Sequence, residues 1–173
     1  MTKEQRQRIH ELVEYAISLE EAGDIISKNL MVLAEQKKRN NLRFTEEGRK
    51  ELEALFDAVM RNMSLAFNVL VSEDIESARL LLSEKAEFAA RERKSRKKHL
   101  KRLRDGDERS FDTSDIHLET LRALKDLNAR ISAIAYPILY RHGQLLETRL
   151  VESVDEEESE KLTRSSEISS NVG

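Results

Sequence analysis

Apolar residues recur at steps of three and four positions through most of this 173-residue chain. That spacing places them on one face of an amphipathic α-helix. The chain has five glycines, one proline and 5% aromatic residues, so it lacks the turn residues and the aromatic runs that are typical of a sheet protein. The sequence therefore predicts an all-α protein.

Four long helices joined by short connections are predicted. Their expected boundaries are residues 3–39 for the first helix, an N-cap at Thr45 and an end near Val71 for the second, a cap at Ser72 for the third, and a cap at Thr113 or Ser114 with an end near His142 for the fourth. The segment "DGDERSFDTSD" is predicted as a loop, with Gly106 ending the third helix, and Pro137 is predicted to kink the fourth. Because short connections make neighbouring helices antiparallel, the expected architecture is an elongated up-and-down bundle of about four helices.

One domain is predicted over residues 1–150, followed by a tail over residues 151–173. The tail reads "VESVDEEESEKLTRSSEISSNVG" and has almost nothing to bury, so we expect it to be a disordered acidic segment. No window approaches 18 apolar residues, so no membrane-spanning helix is expected. The chain has no cysteine and therefore no disulfide or thiolate metal site.

An apolar stripe of the first helix is predicted to face the core. Its members are Ile9, Leu12, Ala16, Leu19, Gly23, Ile26, Leu30 and Leu33. Glu20 and Asp24 flank this stripe four residues apart, which puts both carboxylates on one face and close enough to share a divalent cation. Glu84 and Glu87 of the third helix are candidate further ligands. The alternative is that Glu20 and Asp24 are solvated, or paired with Lys28 or a neighbouring helix.

The densest charge run is "RERKSRKKHLKRLR", residues 91–104. Within it, the candidate contact residues are Arg96, Lys97, Lys98, Lys101 and Arg102. We expect them to contact an anionic membrane surface or an acidic partner, and the acidic "DEEESE" of the tail is one candidate. A solvated helix end is the alternative. No aromatic residue in the run offers a stacking platform, so nucleic acid is not an expected partner.

No catalytic constellation is recognisable in the sequence. The four histidines lack zinc-binding spacing, and the chain has no glycine-rich phosphate loop and no cysteine nucleophile. We therefore expect a non-catalytic protein.

Asn128 and Ser132 are polar positions on the apolar stripe of the fourth helix. A buried amide needs a hydrogen-bond partner, and a neighbouring helix usually supplies it. We therefore expect Asn128 to fix helix register rather than to bind a ligand.

Residues 10–142 resemble a PhoU-like domain, in particular the cytoplasmic domain that follows the membrane part of bacterial sodium/phosphate cotransporters. "SLEEAGDIISKNL" is similar to the family's pattern of a carboxylate, three residues and an aspartate, and "FTEEGRKEL" is similar to the opening of its second helix. The order of "DIESARLLLSEKAEFAARERKSRKKHLKRL" and "TSDIHLETLRALKDLNARISAIAYPIL" resembles the last two helices of these transporter domains.

The resemblance implies a helical bundle that senses or restrains phosphate transport. It implies a cytoplasmic location at the inner face of the bacterial cell membrane, and a sodium/phosphate transporter membrane domain as partner, in the same chain or as a separate protein. A homo-oligomer is a further candidate state. The chain is then either a fragment of a transporter or a stand-alone relative.

A metal-binding bundle is the alternative function that the resemblance implies. In PhoU proteins the carboxylate motifs can hold a multinuclear cluster, which makes Glu20 and Asp24 candidate ligands of a divalent or iron-type ion. The equivalent positions of the fourth helix are Asn128 and Ser132, so two acidic ligands are missing. The resemblance therefore allows a scaffold that lacks the full cluster.

Overall fold

The structure is a computed structural model, and it describes residues 1–144. Over these residues every regular element is a helix, so the all-α prediction is confirmed. The elements are α1 (Lys3–Asp24), a π-helical turn (Ile25–Leu30), α2 (Met31–Arg39), α3 (Glu46–Ser72), α4 (Ile75–Arg104), α5 (Glu108–Asp112), α6 (Ser114–Ile131), a 3-10 turn (Ser132–Ile134) and α7 (Ala135–Arg141). The predicted disordered tail, residues 151–173, lies outside the described residues.

Two of the predicted helix starts differ in their outcome. Thr45 caps α3 as predicted, since its side chain accepts a hydrogen bond from the Gly48 backbone N–H at 3.0 Å. The predicted cap at Ser72 is wrong, because Ser72 is still part of α3. Glu73 then adopts a left-handed φ of 53°, and the carboxylate of Asp74 caps α4.

The segment predicted as a loop between α4 and α6 contains a short helix. Gly106, with a φ of 80°, follows the end of α4 as predicted. Asp107 then caps α5 by accepting a hydrogen bond from the Ser110 backbone N–H at 2.7 Å. Thr113 precedes α6, but its hydroxyl donates to the Arg109 carbonyl and does not cap that helix. The loop prediction missed α5 because five residues are too few for a periodic signal.

The second half of the chain forms the centre of the bundle. α6 contacts α3 and α4 on one side and α1 on another, while α3 and α4 pack against each other. The core of α6 and α7 contains the predicted stripe residues, all at most 3% exposed: Leu121, Leu124, Ile131, Ala135 and Ile138. The predicted core of the fourth helix is therefore confirmed.

Most of the stripe predicted to bury the first helix instead faces outward, although Leu30 at its far end packs against the core. Ile9 is 50% exposed and Leu19 is 44% exposed, whereas Glu11, Tyr15 and Ala22 are buried. The prediction was wrong because α1 packs through a polar and aromatic face, which a hydrophobic pattern does not reveal. The π-turn also shifts the register, since it adds a residue to one turn and rotates the positions after Leu30.

The irregularity expected from Pro137 falls one turn before it. A proline cannot donate to the carbonyl four residues earlier, and the chain forms a 3-10 turn at Ser132–Ile134 before α7 begins. The hydroxyl of Tyr15 donates to the Ile131 carbonyl at 3.0 Å, where α6 ends. α1 is therefore fastened to the bundle at this break.

A buried amide pair connects α3 to α6. Asn62 donates from Nδ2 to Oδ1 of Asn128 at 2.9 Å, and both side chains are 1% exposed. The predicted cross-helix role of Asn128 is confirmed. Ser132, the second polar position of that stripe, is also fully buried.

The substitution Asn128→Leu should lower the free energy of unfolding by about 1–3 kcal/mol, because it leaves the Asn62 amide buried without its partner. Asn62→Leu combined with Asn128→Leu should recover most of that loss, since no polar group is then stranded. Urea unfolding followed by circular dichroism measures both. Asn68→Leu, on the exposed side of α3, is the control and should change stability by less than about 0.5 kcal/mol. A double variant as unstable as the sum of the single variants would contradict this role.

Candidate interaction surfaces

Glu20 and Asp24 lie on the outer side of the bundle, at the end of α1. Glu20 is exposed, and Asp24 is half-buried and accepts a hydrogen bond from Nζ of Lys28 at 2.7 Å. The hydrogen bond to Asp24 and its negative charge raise the pKa of Lys28. Among residues 1–144, no group of three histidine or carboxylate side chains is placed to hold a metal ion. The pairing with Lys28 that the sequence left open is therefore what the structure shows.

The other predicted metal ligands are engaged differently. Glu87 is exposed and pairs with Arg91 within α4 at 3.0 Å, while Glu84 is half-buried on the same helix. Neither carboxylate belongs to a group of three histidine or carboxylate side chains that could hold a metal ion within residues 1–144.

Some of the candidate contact residues in the basic run of α4 form ion pairs within the described part of the chain, and others do not. Arg96 donates to the buried carboxylate of Glu92, and Lys98 and Arg102 both pair with Glu51 of α3. The remaining candidates are Lys97 and Lys101. Both are exposed, and neither forms an ion pair within the described part of the chain. Part of the run therefore holds α3 against α4, and only part of it is available to a partner.

Glu51 is the centre of this contact. It accepts hydrogen bonds from the Ser95 hydroxyl at 2.8 Å and from Nη1 of Arg102 at 3.2 Å. Burial raises the pKa of Glu51, but the hydrogen bonds from Arg102 and Ser95 and the charges of Arg102 and Lys98 outweigh it, so the pKa is lowered overall. A groove of about 560 Å³ opens beside it and is lined by Lys98, Lys101, Arg102 and four carboxylates.

Two histidines that are separated in the sequence come together in the interior, next to this contact, with their rings stacked. The rings of His99 and His117 are parallel with centroids 4.4 Å apart, and both side chains are 1% exposed. Nε2 of His99 lies 3.0 Å from the Ser114 hydroxyl. Burial lowers the pKa of His99, and burial together with the charges of His99 and Arg102 lowers the pKa of His117 to about 4.

A helical spacing would have indicated this polar interior. Phe88, Glu92, Ser95 and His99 follow one another at steps of four, three and four residues, and all four are buried. The inner face of α4 thus changes from apolar to polar toward its basic end. The high density of charge on the outer face of the same segment obscured the pattern.

A second cluster of charged residues connects the C-terminal end of α3 to α1 and α7. Arg8 of α1 and Arg141 of α7 both pair with Glu73, and Arg141 also lies 3.6 Å from the buried carboxylate of Glu11. Glu11 is only 6% exposed, so these arginines balance a carboxylate that burial would otherwise destabilise.

Two apolar faces remain uncovered within residues 1–144. One lies on α1, where Ile9, Val13 and Ile17 are each about half exposed. The other lies on α3, where Phe56 is 52% and Phe67 is 68% exposed. Contiguous exposed apolar surface of this kind marks contact with another protein or a membrane.

The composition of α3 bears on the expectation that no helix crosses a membrane. Among the described residues, α3 is the one helix long and apolar enough to cross a membrane, by length and composition alone, and a core helix of a bundle can pass the same test. A third of its most apolar window is buried in the bundle. The high hydropathy arises because the apolar side of α3 is wider than the part that packs against α4 and α6, so its edge is exposed.

Over residues 1–144 the fold therefore defines a helical bundle with two exposed apolar faces. Over 144 residues the chain is 35% identical to the Salmonella typhimurium protein named "Putative inorganic phosphate export protein YjbB", a match that covers 83% of this chain and 26% of that protein. Proteins of the same name from Escherichia coli K12 and Shigella flexneri are 32% identical over 139 residues, or 80% of this chain and 26% of each relative. The chain thus spans about a quarter of the length of these relatives.

No family model and no solved structure matches the chain. The PhoU-like resemblance therefore stays a prediction, while the similarity to proteins with a phosphate-related name is a finding.

Stability should fall between pH 6.5 and pH 4, because His117 is neutral in the folded protein and protonated in the unfolded chain over that range. The pKa of His117 is lower in the folded protein than in the unfolded chain. The unfolded chain therefore binds the extra proton over this range and becomes more favoured relative to the folded protein as the pH falls. The loss for His117 is on the order of 3 kcal/mol. Urea unfolding at a series of pH values measures it.

The variant His117→Gln should flatten this dependence even if it lowers stability at pH 7. His10→Gln is the matched control, since His10 is 64% exposed and should leave the dependence unchanged. An unaltered slope in His117→Gln would contradict the assignment.

The metal prediction for Glu20 and Asp24 is tested by elemental analysis of the purified protein. A bound ion would have to displace Lys28 from Asp24. The prediction requires a stoichiometric metal in the native chain that is lost in Glu20→Ala/Asp24→Ala. Asp115→Ala/Glu119→Ala is the control, because these exposed carboxylates of α6 have the same spacing and should not affect the metal. A native chain without metal would remove the prediction.

Proposed function

We propose that this chain is a non-catalytic regulatory domain of a phosphate-transport protein and acts through contact with the rest of the transporter. The chain is similar to a stretch of about a quarter of the length of proteins that are named for phosphate export, and this similarity supports the proposal. In it, the domain lies at the cytoplasmic face of a bacterial membrane. Its partner is the membrane part of a sodium-dependent phosphate transporter, in the same chain or as a separate protein.

The outward face of α1 is the observation that carries the proposal. Ile9, Val13 and Ile17 follow one another at four-residue steps and are 50–52% exposed. Covering such half-exposed side chains contributes about 1 kcal/mol each. α1 is held to the bundle by its opposite face, so the apolar side is free to receive a partner.

The carboxylates at the end of α1 fit the same surface. Glu20 lies one turn after Ala16 on the outward side of the helix, and its side chain is exposed. A polar rim around an apolar centre is the usual anatomy of a protein interface. In this proposal Glu20 and Asp24 set the specificity of the α1 contact, which gives the pair a role that does not depend on a metal.

The free residues of the basic run supply a second contact. Lys97 and Lys101 are one turn apart on the exposed side of α4. Each cation near an anionic leaflet contributes about 1 kcal/mol to membrane attraction. Together they orient the domain toward the membrane in which its partner lies.

The experiment uses a chimera of the Escherichia coli relative in which this chain replaces the matched quarter. Val13→Asp combined with Ile17→Asp should change the rate of phosphate efflux from cells by about tenfold, because the charges prevent the α1 face from docking. Phe111→Glu is the control, since Phe111 is 58% exposed but lies on α5. It should leave efflux unchanged.

Lys97→Glu combined with Lys101→Glu in the same chimera tests the basic contact. These changes should weaken the binding of the isolated chain to anionic vesicles while its binding to neutral vesicles stays negligible. Normal efflux and expression of the chimera with the α1 variant would contradict the proposed regulatory contact. Unchanged vesicle binding would contradict the membrane contact alone.

A further inference from the structure

The outer side of α4 carries a stripe of exposed cations. Its members are Arg93, Lys94, Lys97, Lys101 and Arg104. At about 100° per residue they fall within a sector of about 100° around the helix. The buried residues of the same segment, Glu92, Ser95 and His99, lie on the opposite side of α4. We call the five cations the α4 stripe.

The carboxylates of residues 1–144 do not neutralise the α4 stripe. The other lysines and arginines of residues 91–104 pair with Glu87, Glu92 or Glu51, whereas no ion pair within the described residues involves a member of the stripe. Lys101 borders the groove that Glu47 and Glu51 line, but it pairs with neither. Like charges three and four residues apart on a helix repel one another, so an anionic segment placed over the stripe would relieve that repulsion.

The described part of the chain ends on the same side of α4. Gln144, the last described residue, accepts a hydrogen bond from Nε of Arg79 at 2.7 Å. Arg79 lies on the side of the helix that also carries Lys97, because the two residues are about five full turns apart. Between them, that side carries the small exposed residues Ser83, Ala86 and Ala90. A path along the surface of α4 therefore leads from Gln144 to the stripe.

The acidic segment that follows has the charge and the length to cover the stripe. Residues 155–160 read "DEEESE" and carry five carboxylates in six positions. Six extended residues span about 17 Å, and the stripe is also about 17 Å long from Arg93 to Arg104. Arg79 lies about 21 Å before Arg93 along α4, while the chain from Gln144 to Asp155 can span up to about 36 Å. The segment therefore reaches the stripe with length to spare.

Attachment to the same chain favours this segment over an anion from solution. A single exposed ion pair contributes little to affinity, so docking depends on several pairs acting together. A group held by a short linker is presented to its site at an effective concentration on the order of millimolar. An acidic partner free in solution has to compete with that concentration.

We propose that residues 155–160 of this chain dock on the α4 stripe and run in the same direction as α4, with Asp155 nearest Arg93 and Glu160 nearest Arg104. The docked segment covers Lys97 and Lys101, so it competes with an anionic membrane surface for these two cations. The docking goes beyond the proposed function and does not depend on it. Only the competition rests on the membrane contact of the proposed function.

A nitroxide label on Ser159→Cys in the isotope-labelled full chain tests the docking, and the chain has no cysteine of its own to interfere. We expect the backbone amide NMR signals of residues 97–104 to lose most of their intensity relative to the chain with the reduced label. The intensity should return at about 1 M salt, where the screening length is about 3 Å. Full intensity of these signals at low salt would overturn the proposal.

Charge reversals in the labelled chain test the stripe itself. Lys97→Glu combined with Lys101→Glu should abolish the intensity loss, and adding Glu157→Lys and Glu158→Lys should restore it. Lys38→Glu combined with Arg39→Glu is the matched control, because it changes the net charge equally at exposed residues of α2. Equal effects of the two double variants would overturn the proposal, since the segment would then respond to net charge alone.

A mixture of two chains separates docking within one chain from contact between copies. One chain carries the nitroxide without the isotope, and the other carries the isotope without the thiol. We expect no intensity loss in the mixture. A loss equal to that in the singly labelled chain would overturn docking within the chain, because the segment would then bind a second copy.

Vesicles that contain phosphatidylserine test the competition. Replacing the five carboxylates of residues 155–160 by their amides should tighten vesicle binding of the full chain at least about tenfold, because Lys97 and Lys101 are then uncovered. In the Lys97→Glu/Lys101→Glu background the same replacement should tighten binding less. Intensity losses as expected, together with equal vesicle binding of the native and amide chains, would confirm the docking and contradict the membrane contact of the proposed function.

Discussion

The structure depends on the burial of α6 among its neighbouring helices. Leu121, Leu124 and Leu127 are at most 4% exposed, and α6 contacts α1, α3 and α4. Removing this apolar surface from water stabilises the fold by about 25 cal/mol for each Å² buried. α1, α3 and α4 each offer one face to α6, and α3 and α4 also bury a face against each other, so only the remaining faces lie at the surface.

α1 illustrates the consequence. It packs on α6 through Tyr15 and Ala22, and the hydroxyl of Tyr15 donates a hydrogen bond to the Ile131 carbonyl at the end of α6, just before the 3-10 turn. Burial of Tyr15 raises the pKa of its phenol, so it stays neutral and continues to donate. The more apolar side of α1 is left outside, and that inversion produces the surface on which the proposed function rests.

Polar contacts fix the register of the helices at both ends of α3. At one end Glu51 joins α3 to α4 through Arg102 and Ser95. At the other end Glu73 is held by Arg8 and Arg141, so α1, α3 and α7 meet there. Between the ends, the Asn62–Asn128 pair fixes α3 against α6. Apolar packing tolerates sliding by a turn, whereas these hydrogen bonds have one satisfied arrangement.

The sequence by itself determined the all-α class, the cap at Thr45, the stop at Gly106, the buried stripe of α6 and the role of Asn128. These features follow from local spacing or from the chemistry of a single residue type. Only the tertiary structure decided which face of α1 is buried, that Lys98 and Arg102 are engaged by Glu51, and that His99 stacks on His117. Each of these depends on which helix lies opposite, and a periodic pattern shows that a helix has an apolar face without showing which neighbour, if any, covers it.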